Sequence, residues 1–246
     1  MTEPATSLDH LTREDIARHA VRTLHQGVRA QADTFLVAVN GEQGVVKDYG
    51  RTRGLFRHVL ARYLMAREAK ALGRAQGAPG VPRFYGQPDP WSLTLAFVEG
   101  RPASGFEPGT VPPEFFDHLR ETVDALHARG VLHCDLKRFS NILVTPDWQP
   151  WLVDFAGAIL RGRWWNLLSR ALWHWYQVDD YKAIIKLKRS VAPELVTEQE
   201  IAFLEHRGRL ERFVRWARMG IKSWARRHAR GDAPGGPAQR AEEERR

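Results

Sequence analysis

Residues 131–158, VLHCDLKRFSNILVTPDWQPWLVDFAGA, constrain the fold more than any other part of the sequence. The runs NILV and WLVDF, separated by a Pro-Asp turn, predict two short strands. The polar residues that border these apolar runs are Asp135, Asn141 and Asp154. The sequence therefore predicts short strands with two carboxylates and an amide close to their ends.

The first part of the chain predicts a helix followed by a hairpin. Thr12 and Asp15 fit a capping box, and apolar residues at helical spacing follow them, which predicts a helix over residues 12–26. The runs TFLVAV and GVVKDY, residues 34–39 and 44–49, are separated by NGEQ. An Asn-Gly pair between apolar runs is typical of a tight hairpin turn, so these runs predict antiparallel strands.

A second helix and a third strand are predicted next along the chain. Residues 56–73 predict a helix, which the Gly- and Pro-rich segment GAPGVPRFYG ends. The segment LTLAFVEG, residues 93–100, predicts a strand followed by a turn. The apolar stripe expected on the helix consists of Val59, Tyr63, Ala66 and Leu72.

The second half of the chain predicts a mainly helical lobe. A Gly- and Pro-rich loop over residues 101–113 marks the expected boundary, and a helix closed by Gly130 follows it. Beyond Ala158 the pattern predicts helix, with a second capping box at Thr197 and Glu200. The apolar face of the first of these helices consists of Phe115, Leu119, Val123 and Leu126. The expected divisions are an N-terminal helix over 1–26, an N-lobe over 27–100, a helical C-lobe over 101–230 and a disordered tail over 231–246.

Composition restricts the compartment and the partners. The chain has 246 residues, of which 43% are apolar, and this is enough for a sizeable core. Its one cysteine, Cys134, excludes an internal disulfide, and its N-terminus lacks the pattern of an export signal, so we expect a cytoplasmic protein. No apolar run is long enough to span a membrane. The net charge of +8 favours anionic partners such as nucleotides, nucleic acids or lipid head groups.

The polar residues of segment 131–158, together with Lys47, fit the requirements of phosphoryl transfer. Transfer from a nucleotide needs a carboxylate near the attacking hydroxyl, metal ligands for the phosphates and a cation on the phosphates. Asp135, Asn141 and Asp154 can supply the carboxylate and the metal ligands, and Lys47 can supply the cation. Each residue alone indicates no particular function, whereas their combined order along the chain is a specific indication of this chemistry.

The order of Lys47, Glu68, the HCD triplet, Asn141 and the Asp-Phe pair at Asp154 resembles that of the protein-kinase-like superfamily. The resemblance extends from the first strands to Ala158. It implies an α+β, bilobal protein-kinase-like fold with a small β-rich N-lobe and a reduced helical C-lobe that contains the catalytic loop. It also implies a kinase that uses ATP and Mg²⁺.

The resemblance implies a nucleotide site built on the predicted strands. In the family the strand Lys contacts the α and β phosphates and pairs with a helix Glu, which implies these roles for Lys47 and Glu68. Backbone groups of the family's following strand contact the adenine. The matching residues here are Leu95, Phe97 and Val98.

The resemblance also implies which residues act in the transfer. Asp135 of the His-x-Asp motif would orient the acceptor hydroxyl. Lys137, two residues further on, matches the Lys that stabilises the moving phosphoryl group. Asn141 and Asp154 match the residues that bind Mg²⁺.

The sequence departs from the family pattern in several places. Asn141 is the sixth residue after Asp135 instead of the fifth, where Ser140 stands. The apolar run that follows, and the better oxygen ligand, favour Asn141 over Ser140 as the metal ligand. No Gly-x-Gly-x-x-Gly motif precedes Lys47, and Ala156 replaces the Gly of Asp-Phe-Gly. These departures leave an alternative open, a pseudokinase that binds partners as a scaffold without turnover.

The segment after Asp154 resembles two groups within the superfamily. It leads almost directly into helix, as in the bacterial lipopolysaccharide core (Kdo and heptose) kinases and the RIO-like kinases. Their members act as Ser/Thr protein kinases or as sugar kinases, so the acceptor stays open between a protein and a glycolipid. Asp180 either holds the catalytic loop or is an ordinary acid of its helix.

Residues 207–230 predict a basic amphipathic helix with one apolar face. Three interpretations stay open for it. It packs on the lobe with a solvated Arg face, it lies on anionic lipid at the inner face of the membrane, or it docks a phosphorylated or nucleic-acid partner. The Trp residues of 164–175 favour packing over base stacking, so we do not expect nucleic acid to be the main partner.

Overall fold

The computed structural model describes residues 7–27, 32–50, 56–162 and 167–205, without the side chains of 56–58 and 167–172. The chain divides into two compact units, Met1–Glu200 and Ile201–Arg246, and the second is described only as far as residue 205. The α-helices within the described ranges are α1 Arg13–His19, α2 Arg62–Ala75, α3 Pro113–Ala128, α4 Leu167–Val191 and α5 Glu198–Glu205. The strands within these ranges are β1 Ala20–His25, β2 Asp33–Val39, β3 Glu42–Asp48, β4 Phe84–Gly86, β5 Ser92–Ala96, β6 Arg101–Pro102, β7 Val131–Leu132, β8 Ile142–Val144, β9 Pro150–Leu152 and β10 Ile159–Leu160.

An antiparallel sheet of five strands, in the order β1-β2-β3-β5-β4, forms the first part of the fold. β2 and β3 are the predicted hairpin, and Thr34 pairs with Lys47 across it. Asn40 and Gly41 at its turn have φ of 52° and 83°, and a type I′ turn requires two such left-handed residues. On its other side Lys47 pairs with Leu93 of β5. The hairpin prediction is confirmed, and it places Lys47 on the central strand of the sheet.

The N-terminal helix is shorter than the sequence predicted. The predicted capping box forms, because the Thr12 side chain accepts from the Asp15 N–H and the Asp15 side chain accepts from the Thr12 N–H. The helix ends at His19, however, and β1 follows and pairs antiparallel with β2. The prediction of helix over residues 12–26 is therefore wrong after His19. All the β1 residues are exposed, so the strand has no buried face that a sequence pattern would reveal.

The helix predicted over residues 56–73 is present, but its buried face differs from the predicted one. It begins with a π-helical segment, Phe56–Ala61, and continues as α2. Val59 and Tyr63 are each 61% exposed and Ala66 is exposed too, whereas Leu72 is fully buried. The stripe prediction is confirmed for Leu72 and wrong for Val59, Tyr63 and Ala66, because small Ala residues and one Glu pack inward in their place. The buried residues of α2 are Met65, Glu68, Ala69, Ala71, Leu72 and Ala75.

The helical part of the fold packs around α3 and α4. The predicted apolar face of α3 is buried, and Leu119 and Val123 are fully enclosed, as is Leu187 of α4. β8 and β9 pair antiparallel, as the sequence predicted. The predicted capping box at Thr197 also forms, because the Glu200 N–H donates to the Thr197 side chain.

A short strand interrupts the helix that was predicted beyond Ala158. Ile159 and Leu160 form β10, which pairs with β7 before α4 begins at Leu167. The prediction is wrong for these residues, because a strand of two residues is too short to show a period of its own. The pairing brings the segment after Asp154 next to the strand that precedes Asp135.

Several predictions concern residues that the structure does not describe. The basic helix over 207–230 and the tail over 231–246 lie outside the described ranges, and the lobe boundaries also stay predictions. No helix within the described ranges combines the length and the apolar character that a membrane span needs.

Candidate active site

Lys47 is the centre of the candidate site. Its Nζ lies 2.6 Å from Oε1 of Glu68 on α2 and 2.8 Å from Oδ1 of Asp154, just after β9. The Glu68 side chain is 1% exposed and that of Asp154 is 40% exposed. The three residues are far apart in sequence, so the fold alone brings them together.

The charges in this cluster stabilise one another. Burial disfavours the charged form of Lys47, but the carboxylates of Glu68 and Asp154 outweigh it and raise the pKa of Lys47 above its ordinary value. Burial also disfavours the charged form of Asp154, yet the charge and the hydrogen bond of Lys47 lower the pKa of that carboxyl. At neutral pH Lys47 is therefore a cation and Asp154 an anion.

Asp154 has a left-handed backbone, with φ of 66° and ψ of 70°, and a 3-10 turn, Phe155–Gly157, follows it. This conformation costs about 1–2 kcal/mol for a residue with a Cβ, so its surroundings must hold it. Arg67 on α2 donates from Nη2 to the backbone oxygens of Gly157 at 3.2 Å and Ala158 at 2.8 Å. The helix that carries Glu68 thus also holds the turn after Asp154.

Asn141 lies beside Asp135 despite the extra residue in the loop. Its Nδ2 donates to the backbone oxygen of Asp135 at 3.2 Å and lies 3.4 Å from Oδ2 of the same residue. A 3-10 turn, Phe139–Asn141, leads from the loop into β8. Asn141 is 6% exposed, whereas Ser140 is exposed, although both border the same cavity. The geometry therefore supports the preference for Asn141.

Two cations face the Asp135 carboxylate. Lys137 Nζ lies 3.9 Å from Oδ1, and Arg138 Nε lies 3.4 Å from Oδ2. Both basic side chains are about two-thirds exposed, at 67% and 66%. Exposed ion pairs of this kind contribute little to stability, so these side chains can exchange partners readily. Lys137 was predicted as a site residue, whereas Arg138 was not.

Asp180 on α4 holds the backbone of the loop that begins at His133. Its Oδ2 accepts from the His133 N–H at 2.9 Å and its Oδ1 from the Cys134 N–H at 2.8 Å. The Nε2 atom of His127 lies 3.1 Å from the same Oδ2. Asp180 is 1% exposed, so its charge is balanced by these donors instead of water. Of the two sequence interpretations of Asp180, the structure supports the one in which it holds the loop.

His133 joins the catalytic loop to the residue before Asp154. Its Nε2 lies 3.0 Å from the backbone oxygen of Val153, and its ring packs on Phe155 at 4.8 Å between centroids. Burial lowers the pKa of His133, so the ring is neutral and Nε2 carries the proton that is donated to Val153. The loop residues and Asp154 are therefore fixed relative to one another.

We expect Asp180→Asn to destabilise the protein by roughly 1.5–3 kcal/mol, the usual value of hydrogen bonds to a charged group. An amide has one oxygen, so at least one backbone N–H of the loop would face an NH₂ group. Urea unfolding measures the change in the free energy of unfolding. Asp179→Asn is the matched control, because Asp179 is exposed on the same helix and should change stability by less than about 0.5 kcal/mol. Equal effects of the two variants would contradict the role of Asp180.

A cavity of about 390 Å³ lies between the cluster around Lys47 and Asp154 and the strand β5 with the segment after it. This volume lies within the usual range for small-molecule sites. The predicted adenine-binding residues Leu95, Phe97 and Val98 line one part of it. Its other apolar walls include Val45, Leu143 and Val153. Its polar lining includes Lys47, Arg138, Ser140, Asn141 and Asp154. The arrangement suits a ligand with a flat apolar part and an anionic part.

The metal-binding capacity of the site rests on few side chains. Among the described residues, no group of three or more His, Cys, Asp or Glu side chains could hold a metal ion. Mg²⁺ in nucleotide sites is usually bound by one or two protein ligands together with phosphate oxygens and water. The charged carboxylate of Asp154 and the amide oxygen of Asn141 fit that kind of donor set.

Comparisons with known proteins agree with this architecture. No model of a known protein family matches the chain. Serine/threonine-protein kinase PknH of Mycobacterium tuberculosis (strain ATCC 25618 / H37Rv) is 38% identical over 100 residues, which cover 37% of this chain and 16% of that protein. PknH of Mycobacterium bovis shows the same identity and coverage of this chain, with 17% of its own length matched. The match thus spans about a sixth of these relatives.

A solved structure covers much more of the chain. The crystal structure of the Rio2 kinase from Chaetomium thermophilum aligns with a TM-score of 0.54 and 18% identity, over 86% of this chain and 78% of that chain. The protein therefore has the α+β, bilobal protein-kinase-like fold, as the order of its motifs predicted.

Proposed function

We propose that the protein is a kinase that uses ATP and Mg²⁺ and transfers the γ-phosphate to a hydroxyl group. The observation that carries the proposal is the cluster in which Lys47 contacts both Glu68 and Asp154 at one cavity, with Asn141 held against Asp135 nearby. These are the functional groups that phosphoryl transfer requires, and each has a partner that fixes its position.

The cavity supports one orientation of the nucleotide. The adenine would lie against Leu95, Phe97 and Val98, and Lys47 would neutralise charge on the α and β phosphates. Mg²⁺ held by Asp154 and Asn141 would neutralise charge on the phosphate oxygens.

The acceptor end of the site is the Asp135 carboxylate. Asp135 would accept a hydrogen bond from the acceptor hydroxyl and take its proton as the oxygen forms a bond to the γ-phosphorus. The bond from that phosphorus to the bridging oxygen of ADP breaks in the same step. Lys137, 3.9 Å from Asp135, would stabilise the charge on the group in transfer.

Two acceptor classes fit this chemistry, a Ser/Thr side chain of a protein and a sugar hydroxyl of a lipopolysaccharide core. Both present an alcohol, and both are compatible with the cytoplasmic setting that the sequence predicts. Contact of the basic segment over 207–230 with anionic lipid would bring the site to a glycolipid at the membrane, and this contact stays a prediction from sequence.

The test is transfer of label from γ-labelled ATP by the purified protein incubated with cell extract and Mg²⁺. We expect label in either the protein fraction or the lipopolysaccharide fraction, and its position identifies the acceptor class. Calorimetry with ATP and Mg²⁺ runs in parallel. Binding of ATP with no transfer to either fraction, and with no ATP consumed, would contradict the proposal and favour the pseudokinase scaffold.

A further inference from the structure

Arg138 occupies an unusual place in the catalytic loop. Its N–H donates to the backbone oxygen of Asp135 at 3.2 Å, and its own oxygen accepts from the Asn141 N–H at 2.8 Å. The backbone of Arg138 thus forms hydrogen bonds through both its N–H and its C=O, at the start of the 3-10 turn Phe139–Asn141. Its side chain, which is 66% exposed, is left free to move.

The Arg138 side chain borders the nucleotide cavity and the acceptor carboxylate at once. It lines the cavity together with Lys47, Asn141 and Asp154. Its Nε lies 3.4 Å from Oδ2 of Asp135. The guanidinium therefore lies at the boundary between the phosphate end of the cavity and the acceptor position. For a nucleotide whose adenine is at β5, this boundary is the place of the terminal phosphate.

Lys47 and Arg138 differ in how tightly their charges are paired at this end of the cavity. Lys47 is the cation of the predicted phosphate site, but two carboxylates lie within 2.8 Å of its Nζ. These short contacts hold Lys47 within the cluster, so it cannot turn toward a terminal phosphate without breaking them. The contact of Arg138 with Asp135 is longer and more exposed than the Lys47 contacts, so it is easily exchanged.

We propose that Arg138 binds the γ-phosphate of the bound nucleotide, an inference that rests on the proposed function. A guanidinium presents parallel N–H donors that match a phosphate, and such charge-assisted pairs are among the strong hydrogen bonds of proteins. The same movement takes the guanidinium away from Oδ2 of Asp135, which keeps its contact with Asn141 Nδ2 at 3.4 Å. Binding of ATP thereby removes one cation from the carboxylate that orients the acceptor hydroxyl, and binding of ADP, which lacks the γ-phosphate, does not.

The test compares the affinities of ATP and ADP, each with Mg²⁺, by isothermal titration calorimetry. We expect Arg138→Ala to weaken ATP binding about tenfold or more, as the loss of a charge-assisted hydrogen bond predicts, and to weaken ADP binding less than about threefold. Arg138→Lys keeps the charge without the planar donors, so its affinity for ATP should lie between that of the wild type and that of Arg138→Ala. Arg120→Ala is the matched control, because Arg120 is 62% exposed and pairs with Asp124 on α3. It should leave both affinities unchanged.

The outcomes separate this proposal from the proposed function. If the wild-type protein binds ATP and Arg138→Ala binds it equally well, the inference about Arg138 is wrong and the proposed function stands. Equal weakening of ATP and ADP also overturns it, because Arg138 would then not contact the γ-phosphate. If the wild-type protein binds neither nucleotide, the proposed function fails, and the inference fails with it.

Discussion

Replacing Asp154 by Asn should abolish measurable phosphoryl transfer. The substitution keeps the size of the side chain but removes its charge. Lys47 stabilises that charge, because its Nζ lies 2.8 Å from Oδ1 of Asp154. In the proposed function it would also replace a charged metal ligand by a neutral one. A bound cation contributes several kcal/mol to the stabilisation of the transition state, so a loss of about 4 kcal/mol corresponds to roughly a thousandfold lower rate.

The measurement is the initial rate of label transfer from γ-labelled ATP as a function of Mg²⁺ concentration. The Asp154→Asn protein should also lose most of the Mg²⁺ dependence of ATP binding, because its metal ligand is weaker. Asp147→Asn serves as the control, since Asp147 is an exposed residue of the turn between β8 and β9. A variant at Asp154 that transfers label at the wild-type rate would refute the metal-binding role.

The parts of the fold that sequence predicts well carry strong local signals. The Asn40-Gly41 turn requires two left-handed residues, and few sequences other than Asn-Gly supply them, so the hairpin was predictable. The apolar period of α3 was predictable for a similar reason, because large side chains such as Leu119 and Val123 recur at helical spacing and are all buried.

The N-terminal strand shows where such signals fail. Val21 and Leu24 fall at helical spacing after α1, yet they belong to β1 and are 62% and 38% exposed. The strand forms because its backbone pairs with β2. A local sequence pattern does not report such a tertiary contact. Hydrophobic period reports on burial, so a strand whose residues are all exposed leaves no period to read.

The buried face of α2 was missed for another physical reason. Large residues such as Tyr63 are exposed on this helix, while Ala69, Ala75 and the charged Glu68 are buried. A buried Glu is expected only where a cation balances it, and Lys47 is distant in sequence. The motif order that suggested the Lys47–Glu68 pair therefore contained more information than the helical pattern did.

The order of the residues predicted which side chains form the candidate site, but it left Asp180 open between holding the loop and being an ordinary acid of its helix. Asp180 is a mid-helix acid next to another acid, Asp179, and nothing local distinguishes the two. Only the fold shows that Asp180 faces the N–H groups of His133 and Cys134. The extra loop residue could be counted in the sequence, whereas the 3-10 turn that keeps Asn141 in place could not.

Replacing Asp135 by Asn should lower kcat by about 10²–10⁴-fold, the range that general acid–base groups usually contribute. The KM for ATP should stay close to the wild-type value, because Asp135 does not line the cavity with Lys47 and the proposed function places it at the acceptor hydroxyl. Steady-state rates at varied ATP measure both constants. A lowered kcat with an unchanged KM for ATP would distinguish Asp135 from Asp154. At Asp154 we expect the substitution to weaken nucleotide binding as well.

The control for this variant is Asp117→Asn, which changes an exposed carboxylate of α3 and should leave both constants unchanged.

A second comparison uses Asp135→Asn itself in the calorimetric assay. Since Arg138 then has no charged partner at position 135, the Asp135→Asn protein should bind ATP at least as tightly as the wild type. Weaker ATP binding with an unchanged kcat would place Asp135 in nucleotide binding and remove it from the transfer step. Retention of tight binding together with a greatly reduced kcat is the pattern that a proton-accepting carboxylate at the acceptor end requires.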